Sequence, residues 1–106
     1  MRDDDIRAFA KAIKEQEPHQ IIVCPGFEPN NGLDEYCKWW ISPDKCLGTA
    51  EEYKAMYANF DRIFKDEKVT NHLWAMDYGG GIIDKHDLAM ELWPDVDVSW
   101  LMWNMF

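Results

Sequence analysis

The sequence predicts an α/β protein built of parallel βα units, and three observations carry that expectation. Helical and strand-like patterns alternate along the chain in the order α-β-α-β-α-β, the order that calls for parallel strands joined by right-handed crossovers. The run Ile21-Ile22-Val23-Cys24 is continuous and mostly β-branched, which suits a strand buried on both faces of a parallel sheet. Thr49-Ala50-Glu51-Glu52 matches the S/T-x-x-E capping box, the signature of a helix start.

Each element follows from its own pattern. Asp3, Asp4 and Asp5 precede Ile6, Phe9, Ala10 and Ile13, an i, i+3, i+4, i+7 set with acidic residues where a helix dipole favours them. This predicts an amphipathic helix over 4–16, stopped by Glu17-Pro18. The strand at 21–24 comes next. Residues 27–48 show no clear periodicity and hold Pro29, Asn30, Asn31, Gly32, Trp39, Trp40 and Pro43. They are expected to form a long loop, a feature that in a compact domain is either functional or a sign of a wrong assignment. Behind the capping box, Tyr53, Met56, Tyr57, Phe60, Ile63 and Phe64 repeat at helical spacing and predict a helix over about 50–66. Leu73 to Met76 reads as a second strand, halted by Asp77 and Gly79-Gly80-Gly81. Asp84 to Leu92 reads as a short helix ended by Trp93-Pro94. Val96 to Trp103 reads as a third strand, in which Val96, Val98, Trp100 and Met102 alternate with Asp97, Ser99, Leu101 and Trp103.

Composition narrows the function classes. The 106 residues, 47% hydrophobic and 29% charged, suffice for one domain, 1–106, with no internal boundary. Twenty acidic residues against eleven basic ones give a net charge of −9. The excess is spread along the chain and belongs to solvated faces. It argues against a nucleic-acid backbone as partner, which needs a basic stripe. No apolar run approaches the roughly 20 residues of a membrane helix, and Met1-Arg2-Asp3-Asp4-Asp5 lacks the apolar core of a signal peptide. The chain therefore reads as soluble and acidic. Its last strand runs directly into Met105-Phe106 with no covering helix, so a segment of a larger α/β protein is expected, with self-association through open edges when isolated.

In α/β folds the ligand site lies beyond the carboxyl ends of the strands. Those ends carry Phe27-Glu28-Pro29-Asn30-Asn31-Gly32, then Asp77-Tyr78-Gly79, then Trp103-Asn104. Glu28 is the sharpest candidate, because a carboxyl group desolvated beside aromatic residues keeps its proton and can act as a general acid. Asn30 and Asn31 offer hydrogen bonds to sugar hydroxyls or to the carboxylate. Trp39 and Trp40 offer flat faces for a pyranose ring, and Asp77 with Tyr78 reads as a substrate-binding pair. The competing reading makes Glu28 an exposed loop residue, the tryptophans core, and Asp77 a polar strand terminator. Gly79-Gly80-Gly81 lacks the residues of a phosphate loop. His19, His72 and His86 show no metal-ligand spacing, so no metal is expected. Cys24 reads as a small buried hydrophobe, whereas Cys37 and Cys46 share a segment and can be written as a pair or as free thiols.

A family resemblance adds to this. The stretches Ile6-Arg7-Ala8-Phe9-Ala10, Ile21 to Gly32, Trp39-Trp40, Thr49-Ala50-Glu51-Glu52-Tyr53-Lys54, Asn71-His72-Leu73-Trp74 and Val96-Asp97-Val98-Ser99-Trp100 together resemble the middle of a family-26 glycoside hydrolase, the family of the β-mannanases. The resemblance implies a segment of a TIM (β/α)8 barrel covering strands four to six. It implies a retaining hydrolase acting on polysaccharide, with mannan-type β-1,4 linkages among the candidates, and no metal or organic cofactor. Glu28 takes the place of the acid/base, and Asn30 matches an asparagine two positions on. Trp39 and Trp40 fall near the sugar subsites, Trp74 on the fifth strand, and Trp103 or Asn104 on the rim of the sixth. Phe27, Pro29 and Cys24 stand where the mannanases have histidine, methionine and arginine. Retaining hydrolysis needs a second carboxyl group about 5–5.5 Å from the first. The family's nucleophile belongs to a seventh strand absent from this chain, so the chain alone is expected to be inactive. Family members are usually exported, though these residues carry no export signal. Two other readings stand beside this one. One is a non-catalytic protein binding carbohydrate or assembling through an aromatic groove; the other is an unrelated small α/β domain whose acidic surface binds a basic protein.

Overall fold

The computed structural model describes residues 2–26, 29, 39–42, 45–79, 87 and 90–103. Among these residues, two helices, α1 (Asp3–Lys14) and α2 (Ala50–Asp66), accompany five strands. These are β1 (Ile21–Val23), β2 (Trp39–Ser42), β3 (Lys45–Gly48), β4 (His72–Tyr78) and β5 (Val98–Trp103). β1, β4 and β5 form a parallel sheet in chain order, while β2 and β3 form a separate antiparallel hairpin. The architecture is thus mixed α/β around a small parallel sheet, as expected.

α1 forms where the acidic first turn and the basic Lys11 and Lys14 of its last turn both complement the helix dipole. Its stripe Ile6, Ala10 and Ile13 is buried. α2 opens with the capping box the sequence announced. Thr49 Oγ1 accepts from the Glu52 amide at 3.1 Å, and Glu52 Oε1 accepts from the Thr49 amide at 3.2 Å. It closes with a Schellman motif: Lys68 takes a left-handed φ of 59°, the Val69 amide donates to Phe64 O at 2.9 Å, and the Lys68 amide to Lys65 O at 3.0 Å. Phe64 and Val69 are both buried in the same cluster, the apolar contact that accompanies such a cap.

Both helices pack on one face of the sheet. Ile6, Ala10 and Ile13 of α1 join Phe60, Ile63 and Phe64 of α2 over Val23 and Trp74. Nearer the strand ends, Ala50, Tyr53 and Tyr57 of α2 close over Met76, Tyr78 and Leu92. Arg7 donates to Glu67 at 2.7 Å and Arg62 to Asp3 at 3.1 Å, tying the helices together at the surface. Asn71, just before β4, donates through Nδ2 to Ile13 O at 2.8 Å and His19 O at 2.9 Å. It therefore anchors the end of α1 to the sheet.

Three expectations need correction. The unpatterned stretch 27–48 contains the β2–β3 hairpin, whose register shifts at two places; those irregularities break the strict alternation by which a strand is read. The second strand does not stop at Met76 but runs through Asp77 to Tyr78, because the pairing with β5 continues to Trp103. The third strand begins at Val98, not Val96. The short helix expected over 84–92 lies mostly outside the described residues.

Candidate functional site

The carboxyl ends of β1 and β4 meet at one rim, where the capped start of α2 also arrives. Strand alternation sorts the side chains there. Trp74, Met76 and Tyr78 lie in the clusters beneath the helices, so Leu73, Ala75 and Asp77 take the opposite face, on which neither α1 nor α2 packs. Asp77 is only 3% exposed, the one buried carboxylate among the described residues. Cys24, one residue beyond β1, is half-buried, hydrogen-bonded to the Asp77 backbone and within reach of the Asp77 charge.

Behind this rim stand two tyrosines, one turn apart on α2. The Tyr53 hydroxyl donates to Gly26 O at 3.1 Å, and the Tyr57 hydroxyl donates to Ala75 O at 2.7 Å. Their rings lie 5.3 Å apart and their oxygens 3.5 Å apart. The Cys24 thiol reaches Gly26 O at 3.4 Å and Tyr57 Oη at 3.8 Å. Two carbonyls, one in the turn after β1 and one in β4, are therefore held by hydroxyls from a single helix. Burial raises the pKa of both phenols and of the Cys24 thiol, and pushes Tyr78 up to about 12. All of these groups stay neutral near pH 7, so Cys24 is a hydrogen-bonding group here, not a thiolate nucleophile.

The residues singled out in the sequence divide unevenly. Asp77 stands near the carboxyl end of β4, buried on the face opposite α1 and α2. Trp74 takes the helix side: its indole is 3% exposed, lies against Phe60 and Phe64, and donates to Asp61 at 2.9 Å. Tyr78 is likewise buried under α2. Trp103 pairs with Tyr78 across the β4–β5 ladder, which puts it on the helix side, 44% exposed. The physical reason is the two-residue period of a strand: neighbours such as Asp77 and Tyr78 cannot serve one face. Trp39 and Trp40 belong to β2, across from Gly48 and Cys46 of β3. Glu28, Asn30, Asn31 and Asn104 lie outside the described residues, as does Cys37, while the intervening Pro29 is buried.

The Tyr53–Tyr57–Cys24 group was missed because the helical stripe containing the tyrosines reads as core. The available signal was that Tyr, not Phe, fills two adjacent core positions, and a buried hydroxyl needs a partner. Among the described residues there is no cluster of metal-ligating side chains. A cleft of about 360 Å³, lined by Asp61, Lys65, His72, Trp74, Asp95 and Asp97 among others, opens at the amino end of β4 and β5. In parallel α/β folds that end is where stability is served. Lys65 is already bonded there to Asp61 at 2.7 Å.

Comparisons with protein-family models, curated proteins and solved structures gave no match to this chain.

Proposed function

We propose that this chain is the acid/base sector of a retaining glycoside hydrolase, a segment of a (β/α)8 barrel acting on polysaccharide, with Glu28 as proton donor. The observation that carries the reading is the winding of the sheet. β1, β4 and β5 are parallel neighbours in chain order with both helices on one face, an arrangement that consecutive barrel units have and that either half of a doubly wound sheet shares. Such winding sends every strand end to one rim. Glu28 follows β1 by five residues, and Asp77 is a buried carboxylate at the end of the next strand.

In this mechanism Glu28 protonates the glycosidic oxygen as the bond to the leaving sugar breaks, and then takes a proton from the attacking water. Asn30 and Asn31 bind sugar hydroxyls, with Asn104 at the rim of the last strand. Trp39 and Trp40 supply stacking faces. Asp77 accepts from sugar hydroxyls or from groups that orient Glu28. The nucleophile comes from outside these strands, and no metal or organic cofactor takes part.

The test is Glu28→Gln in the polypeptide that carries this sector. Turnover of polysaccharide, which has a poor leaving group, is expected to fall by at least about 100-fold, the lower end of what a general acid contributes. Oligosaccharide affinity by calorimetry should stay within a few-fold. Wild-type turnover in the variant removes Glu28 from its role.

One observation favours a second reading, a non-catalytic assembly protein. β5 exposes Trp100 on one face and Leu101 and Trp103 on the other, apolar surface suited to protein contact. Light scattering decides it: a 12.5 kDa monomer at all concentrations rules out self-assembly.

A further inference from the structure

Gly26 poses a small puzzle. No described glycine adopts a positive φ, so the usual conformational reason for glycine is missing. The reason is contact. A Cβ at Gly26 would lie 2.4 Å from Tyr53 Cε2 and 2.8 Å from its hydroxyl oxygen. Tyr53 itself is fully buried and has no room to retreat. The Gly26 backbone is thus pressed against the ring while its carbonyl accepts the hydroxyl proton at 3.1 Å.

A count of protons makes the arrangement specific. Tyr57 gives its proton to Ala75 O at 2.7 Å, and Tyr53 gives its own to Gly26 O, nearer than either Tyr57 Oη at 3.5 Å or Met76 Sδ at 3.6 Å. Cys24 has the same Gly26 carbonyl as its nearer acceptor. Among the described residues, three neutral donors meet two carbonyls, one in the turn after β1 and one in β4. Phenylalanine at position 53 would fill the same volume without fixing where the turn lies. The hydroxyl adds position.

We propose that Tyr53 is a positioning residue, holding the Pro25–Gly26 turn against α2 and so fixing the point from which the chain proceeds to Glu28, two residues later. This rests on the hydrolase reading for its catalytic consequence, but the clamp itself stands on the contacts above.

The experiment uses two variants that disturb one contact from opposite sides: Tyr53→Phe, which keeps the ring and loses the proton, and Gly26→Ala, which keeps the hydroxyl and intrudes on the ring. Cys24 reports the position of the turn through its rate of carbamidomethylation by iodoacetamide, mapped by mass spectrometry under native conditions, with circular dichroism verifying the fold. Both variants should label Cys24 about five-fold faster or more, the factor expected from one lost hydrogen bond. In the polypeptide carrying the sector, Tyr53→Phe should lower kcat on polysaccharide about ten-fold or more with KM within about two-fold, the split expected when alignment and not binding is lost. Wild-type labelling of Cys24 in both variants overturns the clamp. Wild-type kcat in Tyr53→Phe, alongside an inactive Glu28→Gln, overturns its positioning role and leaves the hydrolase reading intact. If Glu28→Gln retains full turnover, it is the hydrolase reading that fails, and the labelling rates alone decide the clamp.

Discussion

β4 and β5 are parallel neighbours with similar composition, yet they live in different environments. In β4, every residue from Trp74 to Tyr78 is buried; in β5, Trp100 is 48% exposed, Leu101 59% and Trp103 44%. Alternation places Trp100 beside Ala75 and Leu101 beside Met76, so β5 is open on both faces. The difference does not lie in the strands. β4 has β1 and β5 as flanking strands and α2 above it, whereas β5 has β4 on one side and, among the described residues, no helix over Leu101 and Trp103. An apolar side chain contributes to stability only in proportion to the surface its neighbours take from water.

The sharpest way to break this comparison is to truncate a large apolar residue in each strand. Trp74→Ala should cost about 3–5 kcal/mol, since it opens a cavity beside Phe60 and Phe64 and removes the indole donor from Asp61 Oδ1, leaving that carboxylate its bond to Lys65. Urea unfolding measures it; a loss below about 1 kcal/mol would show the site to be far looser than its burial indicates.

A smaller effect is expected from pH. His72, at the start of β4, lies against Phe64 and Trp74, with ring centroids 4.9 and 4.7 Å away, and burial holds its pKa below the ordinary 6.5. Asp61 works against that shift and Lys65 with it. The unfolded chain thus binds the proton first as pH falls. The contribution of neutral His72 is full above about 6.5, is lost as pH drops from there toward the folded-state pKa, and is level below it. His72→Phe should flatten the decline in stability between about pH 7.5 and 5.5, read from urea midpoints across that range. Equal slopes in both proteins would show that His72 is not the group responsible.

The smallest effect belongs to β5. Leu101→Ser should change stability by no more than about 0.5 kcal/mol. A loss near that of a core leucine would mean that β5 is covered in solution, and would erase the contrast with β4.

How far these features could be read beforehand depended on the range of the interactions behind them. The helix at 50–66 was legible because its start rests on two reciprocal hydrogen bonds within four residues, Thr49 to Glu52, and its stripe on a local period. The parallel strand order was legible because alternating elements leave few ways to connect. The β2–β3 hairpin was not, since its shifted register hides the alternation that marks a strand. Of the candidate site, Asp77 lies near a strand end, but Tyr78 had been grouped with it by position along the chain and Trp74 by the family resemblance, and the strand period turns both to the other face. The role of Gly26 was out of reach, because its reason is a tyrosine 27 positions away.

The sequence by itself determined where helices begin, which strands run parallel and where the charge lies, because capping, periodicity and net charge act between residues close in the chain. Only the tertiary structure decided which aromatic residues are core, that Asp77 is buried on the face opposite α1 and α2, and why Gly26 admits no side chain. Those outcomes depend on which distant surfaces are pressed together, and excluded volume and desolvation take effect only once the chain has brought them into contact.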